Sequence, residues 1–161
     1  MNYLNDEHLS VGTREYLEVL NAGDRPVESL PVPEARQVLV DAQAAVDVDL
    51  SGIDEHERSI VADGHALTLH LVRPQGNRER LPLFVFIHGG GWVLGDYPTH
   101  RRLVRDLVVE SGLAAVFVDY TPSPEAHYPQ AIQELYAAMK WVAENDEELN
   151  LDRHRMAVVG N

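Results

Sequence analysis

The chain contains no cysteine, which excludes disulfides and thiolate chemistry. Positive charge is scarce as well: 13 Lys and Arg stand against 26 Asp and Glu, a formal net charge of -13. Nucleic acids and anionic membrane surfaces need basic patches, so neither is an expected partner. Long apolar runs are missing. The longest, residues 83–87, is far too short to cross a bilayer, and residues 1–10 carry acids and no apolar centre of a secretion signal. No membrane insertion is expected, and the cytoplasm is the default compartment.

What remains is a chain of 161 residues, 45% of them apolar, which suits one packed domain or one domain with a short appendage. Residues 1–52 read as helical. Tyr16, Leu17 and Leu20 share one helical face, closed by Asn21-Ala22-Gly23. After Pro31, with Pro33 in the first turn, Ala35, Val38, Leu39, Ala42, Ala45 and Val46 recur at helical spacing. No strand separates these helices, so they form an appendage.

Residues 53–161 have a different texture. Strands are expected over 59–62 and 66–73, joined at Asp63-Gly64. Apolar strands then follow at 81–87, 114–120 and 156–159. Between them lie helices over 99–111, with Leu103, Val104, Leu107 and Val108 inward, and over 129–143, with Ile132, Leu135, Met139 and Val142 inward. Strands apolar on both faces and linked by helices imply a mostly parallel sheet flanked by helices, an α/β fold with right-handed crossovers.

Ligands of such sheets bind beyond the carboxyl ends of the strands. The segments there are 88–95, 119–129 and Gly160-Asn161. The first holds the string His88-Gly89-Gly90-Gly91-Trp92. Three successive glycines lose chain entropy and add no packing, so they belong where backbone must approach another group closely. Acyl transfer has that need, because backbone N–H groups aimed at a tetrahedral oxyanion lower its barrier. A flexible turn is the plain alternative. A phosphate loop fits poorly, since no Lys-Ser or Lys-Thr pair follows and the spacing of glycines is not that of a dinucleotide fingerprint.

The string His88-Gly89-Gly90-Gly91-Trp92 resembles the oxyanion loop of the hormone-sensitive-lipase-like branch of the α/β-hydrolases. Asp119-Tyr120 with Pro124-Glu125 and Tyr128-Pro129 resembles a second stretch of that branch, although Thr121-Pro122-Ser123 replaces its usual Arg-Leu-Ala. Val158-Val159-Gly160-Asn161 resembles the strand entering the nucleophile elbow G-x-S-x-G, with Asn161 just before the serine. The resemblance implies an α/β-hydrolase fold of which 1–52 are N-terminal cap helices and 53–161 the N-terminal half of the core, incomplete without a C-terminal half.

It also implies residue roles. Gly89 and Gly90 would supply oxyanion N–H donors and Gly91 would shape the loop. Trp92 would pack the loop or line the acyl pocket. His88 would support the loop rather than act as base, since the family order is Ser, Asp, His and all eight histidines here precede the elbow. Asp119 and Glu125 would be structural. No metal is expected, because His65 and His70 are five apart on a strand and point to opposite faces. No cofactor is expected either. The implied function is serine carboxylic-ester hydrolysis of small or medium acyl esters. Its partners are an ester substrate and the remaining half of the same protein, and a homo-oligomer is compatible with it. A non-catalytic small-molecule-binding protein on the same scaffold is the alternative. A flavodoxin-like nucleotide-binding domain fits the strand–helix alternation but leaves the glycine string unexplained.

Overall fold

The computed structural model describes residues 6–22 and 25–161. They fall into two compact units, the first running to Val38 and the second from Leu39 to Asn161. The first unit contains α1 (Val11–Leu20), a single 3₁₀ turn (Val27–Ser29) and the start of α2 (Val32–Ala44). Ser10 caps α1 by accepting from Thr13 N at 3.1 Å. Asn21 closes the helix by donating its N–H to Leu17 O at 3.0 Å, and the expected Gly23 lies outside the described residues. Neither apolar stripe is buried as expected. Tyr16 and Leu20 are exposed, Ala35 is the buried residue of α2, and Ala45 and Val46 lie beyond its last turn.

The second unit is built on five strands: β1 (Ile53–Ala62), β2 (His65–Pro74), β3 (Leu81–Ile87), β4 (Ala114–Asp119) and β5 (Leu151–Gly160). Their order in the sheet is β1-β2-β4-β3-β5. The β1–β2 and β2–β4 pairs are antiparallel and the β3–β4 and β3–β5 pairs parallel, so only β2 runs against the other four. The sheet is therefore mixed: the parallel part read from the sequence is β4-β3-β5, and the β1–β2 hairpin extends it through antiparallel pairing. The first hairpin turns at Asp63-Gly64, both at positive φ (47° and 85°), which suits the twist of the flanking strands.

Strand β3 is buried on both faces and is apolar throughout for that reason. Leu83 and Val85 join Leu69, Val116, Val118, Leu135 and Val142 on one face, where α4 (Gln130–Glu144) packs. Phe84 and Phe86 join Phe117, Tyr97, Val104 and Val108 on the other, beneath α3 (Tyr97–Ser111). Helix α3 starts two residues before the expected Thr99. Asp96 accepts from Thr99 N at 2.9 Å while Thr99 Oγ accepts from Asp96 N at 3.0 Å, a reciprocal cap that carries helix geometry back to Tyr97. Gly112 ends it in the left-handed region, at φ 70°.

The two covering helices bury narrower rows than their stripes suggest. Val104 and Val108 are fully buried, but Leu103 turns outward. In α4, Ala137 and Ala138 are buried with Leu135 and Val142, while Ile132 is half exposed. Small side chains let that helix approach the sheet closely, so the contact row shifts toward them.

Candidate active site

The carboxyl ends of β3, β4 and β5 bring the three expected segments together. The 88–95 loop leaves β3 at His88, whose side chain is 4% exposed. Its ring lies flat on Tyr120 (centroids 4.3 Å apart, planes 9° apart) and on Phe117 (5.4 Å, 5°). Nδ1 sits 2.8 Å from Gly89 O. A carbonyl can only accept, so the proton is on Nδ1. Burial pushes the His88 pKa below its ordinary value. A neutral imidazole with Nδ1–H committed to the loop backbone is a support, not a free base.

The glycines differ in what they are doing. Gly89 N donates to Asn161 Oδ1 at 3.0 Å, which ties the loop to the end of β5. Gly90 has φ 120°, and a Cβ there would stand 2.1 Å from Leu94 O. Its own carbonyl accepts from Val93 N at 3.2 Å and Leu94 N at 2.9 Å, closing a tight turn. Gly91 (φ 63°) has open space where a Cβ would be. Among the described residues, no acceptor takes the N–H of Gly90 or of Gly91. At the far end of the loop, a Cβ on Gly95 would lie 2.7 Å from His88 Nδ1 and 2.8 Å from Gly89 O, so only glycine lets the loop fold back on the histidine.

Trp92 also has positive φ, 63°, which costs a residue with a Cβ roughly 1–2 kcal/mol. Such a conformation persists only where its surroundings hold it. Here Ser123 N donates to Trp92 O at 2.7 Å, and the indole tilts against Tyr120 at 5.3 Å. The other end of the loop is held by Tyr120 OH, which donates to His88 O at 2.9 Å. Burial pushes the Tyr120 phenol up to about 12, so it keeps the proton it donates.

Two polar networks flank these rings. His70 Nε2 lies 2.7 Å from Asp119 Oδ2, and its ring stacks on Tyr97 at 4.0 Å. Tyr97 OH and Arg101 both donate to Glu55, Arg101 through Nε (2.8 Å) and Nη2. The Arg101 guanidinium holds the Glu55 carboxyl below the usual range, while burial and Glu55 raise the Tyr97 phenol. Beside Gly91 and Trp92 lies an open cavity of roughly 480 Å³, lined also by Thr121, Tyr128 and Ile132.

The structure gathers His88, Gly89, Gly90, Gly91, Trp92 and Asn161 at one end of the sheet, in direct contact at His88–Gly89 and Gly89–Asn161. Sequence reasoning missed the partners that grip this loop: Tyr120, Ser123 and, behind them, Glu134. For Glu134 a signal existed. It falls three residues after Ala131 and four before Ala138, on the small-residue row of α4, where an acid is out of place unless bonded. Among the described residues, no group of His, Asp or Glu could hold a metal ion. No helix there is long and apolar enough to cross a membrane.

The family model described as alpha/beta hydrolase fold matches residues 84–161. A thermostable esterase from Pseudomonas putida is similar in structure, with a TM-score of 0.88 and 57% identity over 91% of this chain and 46% of its own. A carboxylesterase of Mycobacterium tuberculosis is 40% identical over 65% of this chain and 33% of its own length. An ethyl acetate hydrolase of Pseudomonas putida is 29% identical over 91% of this chain and 49% of its own. The chain spans half or less of the length of these relatives.

Proposed function

The chain belongs to the hormone-sensitive-lipase-like branch of the α/β-hydrolase family, and from that premise we propose that it supplies the oxyanion-binding loop of a serine carboxylic-ester hydrolase. The observation that carries the reading is the state of the loop amides. Gly90 N–H and Gly91 N–H have no acceptor among the described residues, and the backbone around them is bonded at both ends. Donors held this way need no reorganisation when charge develops on a carbonyl oxygen. Gly89, expected beside Gly90 as a donor, spends its N–H on Asn161 in this structure. The pairing that fits the geometry is therefore Gly90 with Gly91, and Gly89 serves to tie the loop to β5.

In the proposed reaction a serine hydroxyl attacks the ester carbonyl, and its proton passes to a histidine. The resulting oxyanion lies against the Gly90 and Gly91 amides. Expulsion of the alcohol leaves an acyl-enzyme that water hydrolyses. The serine, histidine and acid are proposed to come from sequence other than these residues. The names of the relatives support ester hydrolysis as the class, and the cavity beside Trp92 supports small or medium acyl esters within it.

The test is turnover of p-nitrophenyl acetate, butyrate and octanoate by the full chain that carries these residues. A burst followed by steady release, strongest for the short esters, is expected. Binding of these esters without burst or turnover at any chain length would overturn the hydrolase and leave a binding protein on the same scaffold.

A further inference from the structure

Residues 120–123 touch the glycine loop at both ends. Tyr120 OH donates to His88 O at 2.9 Å, before the glycines, and Ser123 N donates to Trp92 O at 2.7 Å, after them. Gly89, Gly90 and Gly91 lie between those two anchor points. The placement of the loop therefore depends on where this four-residue strap is held.

Its middle residue is held by one carboxylate. Glu134 on α4 is 3% exposed. Its Oε2 accepts from Thr121 N at 2.7 Å, and its Oε1 accepts from Thr121 Oγ at 3.0 Å. Oε1 also accepts from Gln130 Nε2 at 2.8 Å, and His65 Nδ1 stands 4.0 Å away. Thr121 N, Thr121 Oγ and Gln130 Nε2 all donate to it, as suits a carboxylate acting only as acceptor. Hydrogen bonds to a charged acceptor are about twice as strong as neutral ones, so a single side chain can fix both the backbone and the hydroxyl of Thr121.

From this arrangement the geometry points to Glu134 as a positioning residue for the glycine loop. It acts through Thr121 and the strap to set the height of the Gly90 and Gly91 amides. The inference rests on the oxyanion-loop reading above. It adds a residue on a helix remote in sequence from the loop, in direct contact with none of the glycines. Glu134 does not touch substrate. Its role is to keep the two strap contacts from drifting, because displacement of catalytic donors by about 1 Å can cost on the order of 100-fold in rate.

The deciding variant is Glu134→Gln in the full chain, with the exposed Glu144→Gln on the same helix as control. The amide conserves volume but places an N–H donor against donors. We expect kcat for p-nitrophenyl acetate to fall about tenfold with KM within about twofold, the signature of an interaction realised in the transition state. Amide hydrogen exchange should rise in segment 88–95 and stay unchanged in β4. An unchanged kcat in folded protein overturns the inference, as does a loss explained by the unfolded fraction alone. Should Glu134→Gln not fold, Thr121→Val removes only the hydroxyl bond. A smaller fall in kcat with faster exchange at 88–95 supports the strap, and no change in either overturns it. If the wild-type chain turns over no ester, the hydrolase reading fails. The exchange comparison still judges Glu134 in that case.

Discussion

On the α4 face of the sheet the core is aliphatic apart from Tyr120: Leu69, Leu83, Val85, Val116 and Val118 meet Leu135 and Val142. On the α3 face four aromatic rings, Phe84, Phe86, Phe117 and Tyr97, pack among Val72, Val104 and Val108. Three histidines pack against those rings, His70, His88 and His100. Aliphatic contacts are non-directional, so that face needs only volume and shape. Ring stacks and imidazole hydrogen bonds have preferred geometry. The stack from Phe117 through His88 to Tyr120 therefore carries orientation from the sheet into the loop. One face makes the fold stable, and the other also aims the backbone above it. The polar exceptions on the aliphatic side are Tyr120 and Glu134, whose hydroxyl and carboxylate are the points where that face reaches the site.

The sharpest way to break the comparison is to empty each face in turn. Phe117→Ala should lower stability by about 3–5 kcal/mol, and Leu69→Ala by about 2–5 kcal/mol. Urea unfolding will read both as similar losses. Ester turnover per folded molecule should then separate them: reduced for Phe117→Ala, where His88 loses its platform, and unchanged for Leu69→Ala. Equal turnover would erase the distinction between the faces.

Next in size is the contrast between adjacent glycines. Gly90→Ala must push a Cβ into Leu94 O, so turnover should fall by at least about 100-fold, the scale of a lost oxyanion donor. Gly91→Ala meets open space and carries only the left-handed backbone penalty of about 1–2 kcal/mol. Its folded protein should retain most activity in the same assay.

Tyr120→Phe keeps the stack on His88 but leaves His88 O without its donor, a loss of about 1–3 kcal/mol for a buried carbonyl. Denaturant midpoints check that value. A loss near zero would mean that the ring alone, and not the hydroxyl, holds that end of the loop.

The smallest effect is the pH dependence of His88. Its folded pKa lies below the ordinary 6.5, so the unfolded chain binds the proton first as pH falls. The stability it contributes is fully present above about 6.5 and is lost as pH falls toward the lower folded value, with a slope of at most about 1.4 kcal/mol per pH unit. Unfolding midpoints of wild type and His88→Asn, compared between pH 7.5 and 5, should differ by that slope. Parallel curves would mean that His88 titrates normally.

Much of the second unit was legible in the sequence. The strand at 81–87 matches β3 to the residue, because a run buried on both faces must be apolar throughout. The expected strands at 59–62 and 156–159 are the ends of longer ones, β1 and β5. The rest of β1 is polar apart from Ile53 and pairs with β2, while Arg153, His154 and Arg155 of β5 stand unpaired between Asp152 and Met156, so neither stretch carries an apolar pattern. The loop string and Asn161 were read as neighbours at the carboxyl ends of the strands, and Gly89 N does bond Asn161 Oδ1. The roles inside the loop were less legible. Nothing in Gly89-Gly90-Gly91 distinguishes an amide bonded to Asn161 from two without acceptors, since that depends on how β5 registers against β3.

What the sequence determined by itself is the set of local constraints: strands apolar on both faces, helices with caps and stops, and the run Gly89-Gly90-Gly91 where backbone must approach another group closely. Each follows from sterics and hydrophobic burial acting over a few residues. What only the tertiary structure decided is which groups meet across the chain. Tyr120 on His88, Ser123 on Trp92 and Glu134 on Thr121 are hydrogen bonds across loops and between elements. Their formation depends on crossover geometry and on distances set to within an ångström, and no local pattern of residues encodes those distances.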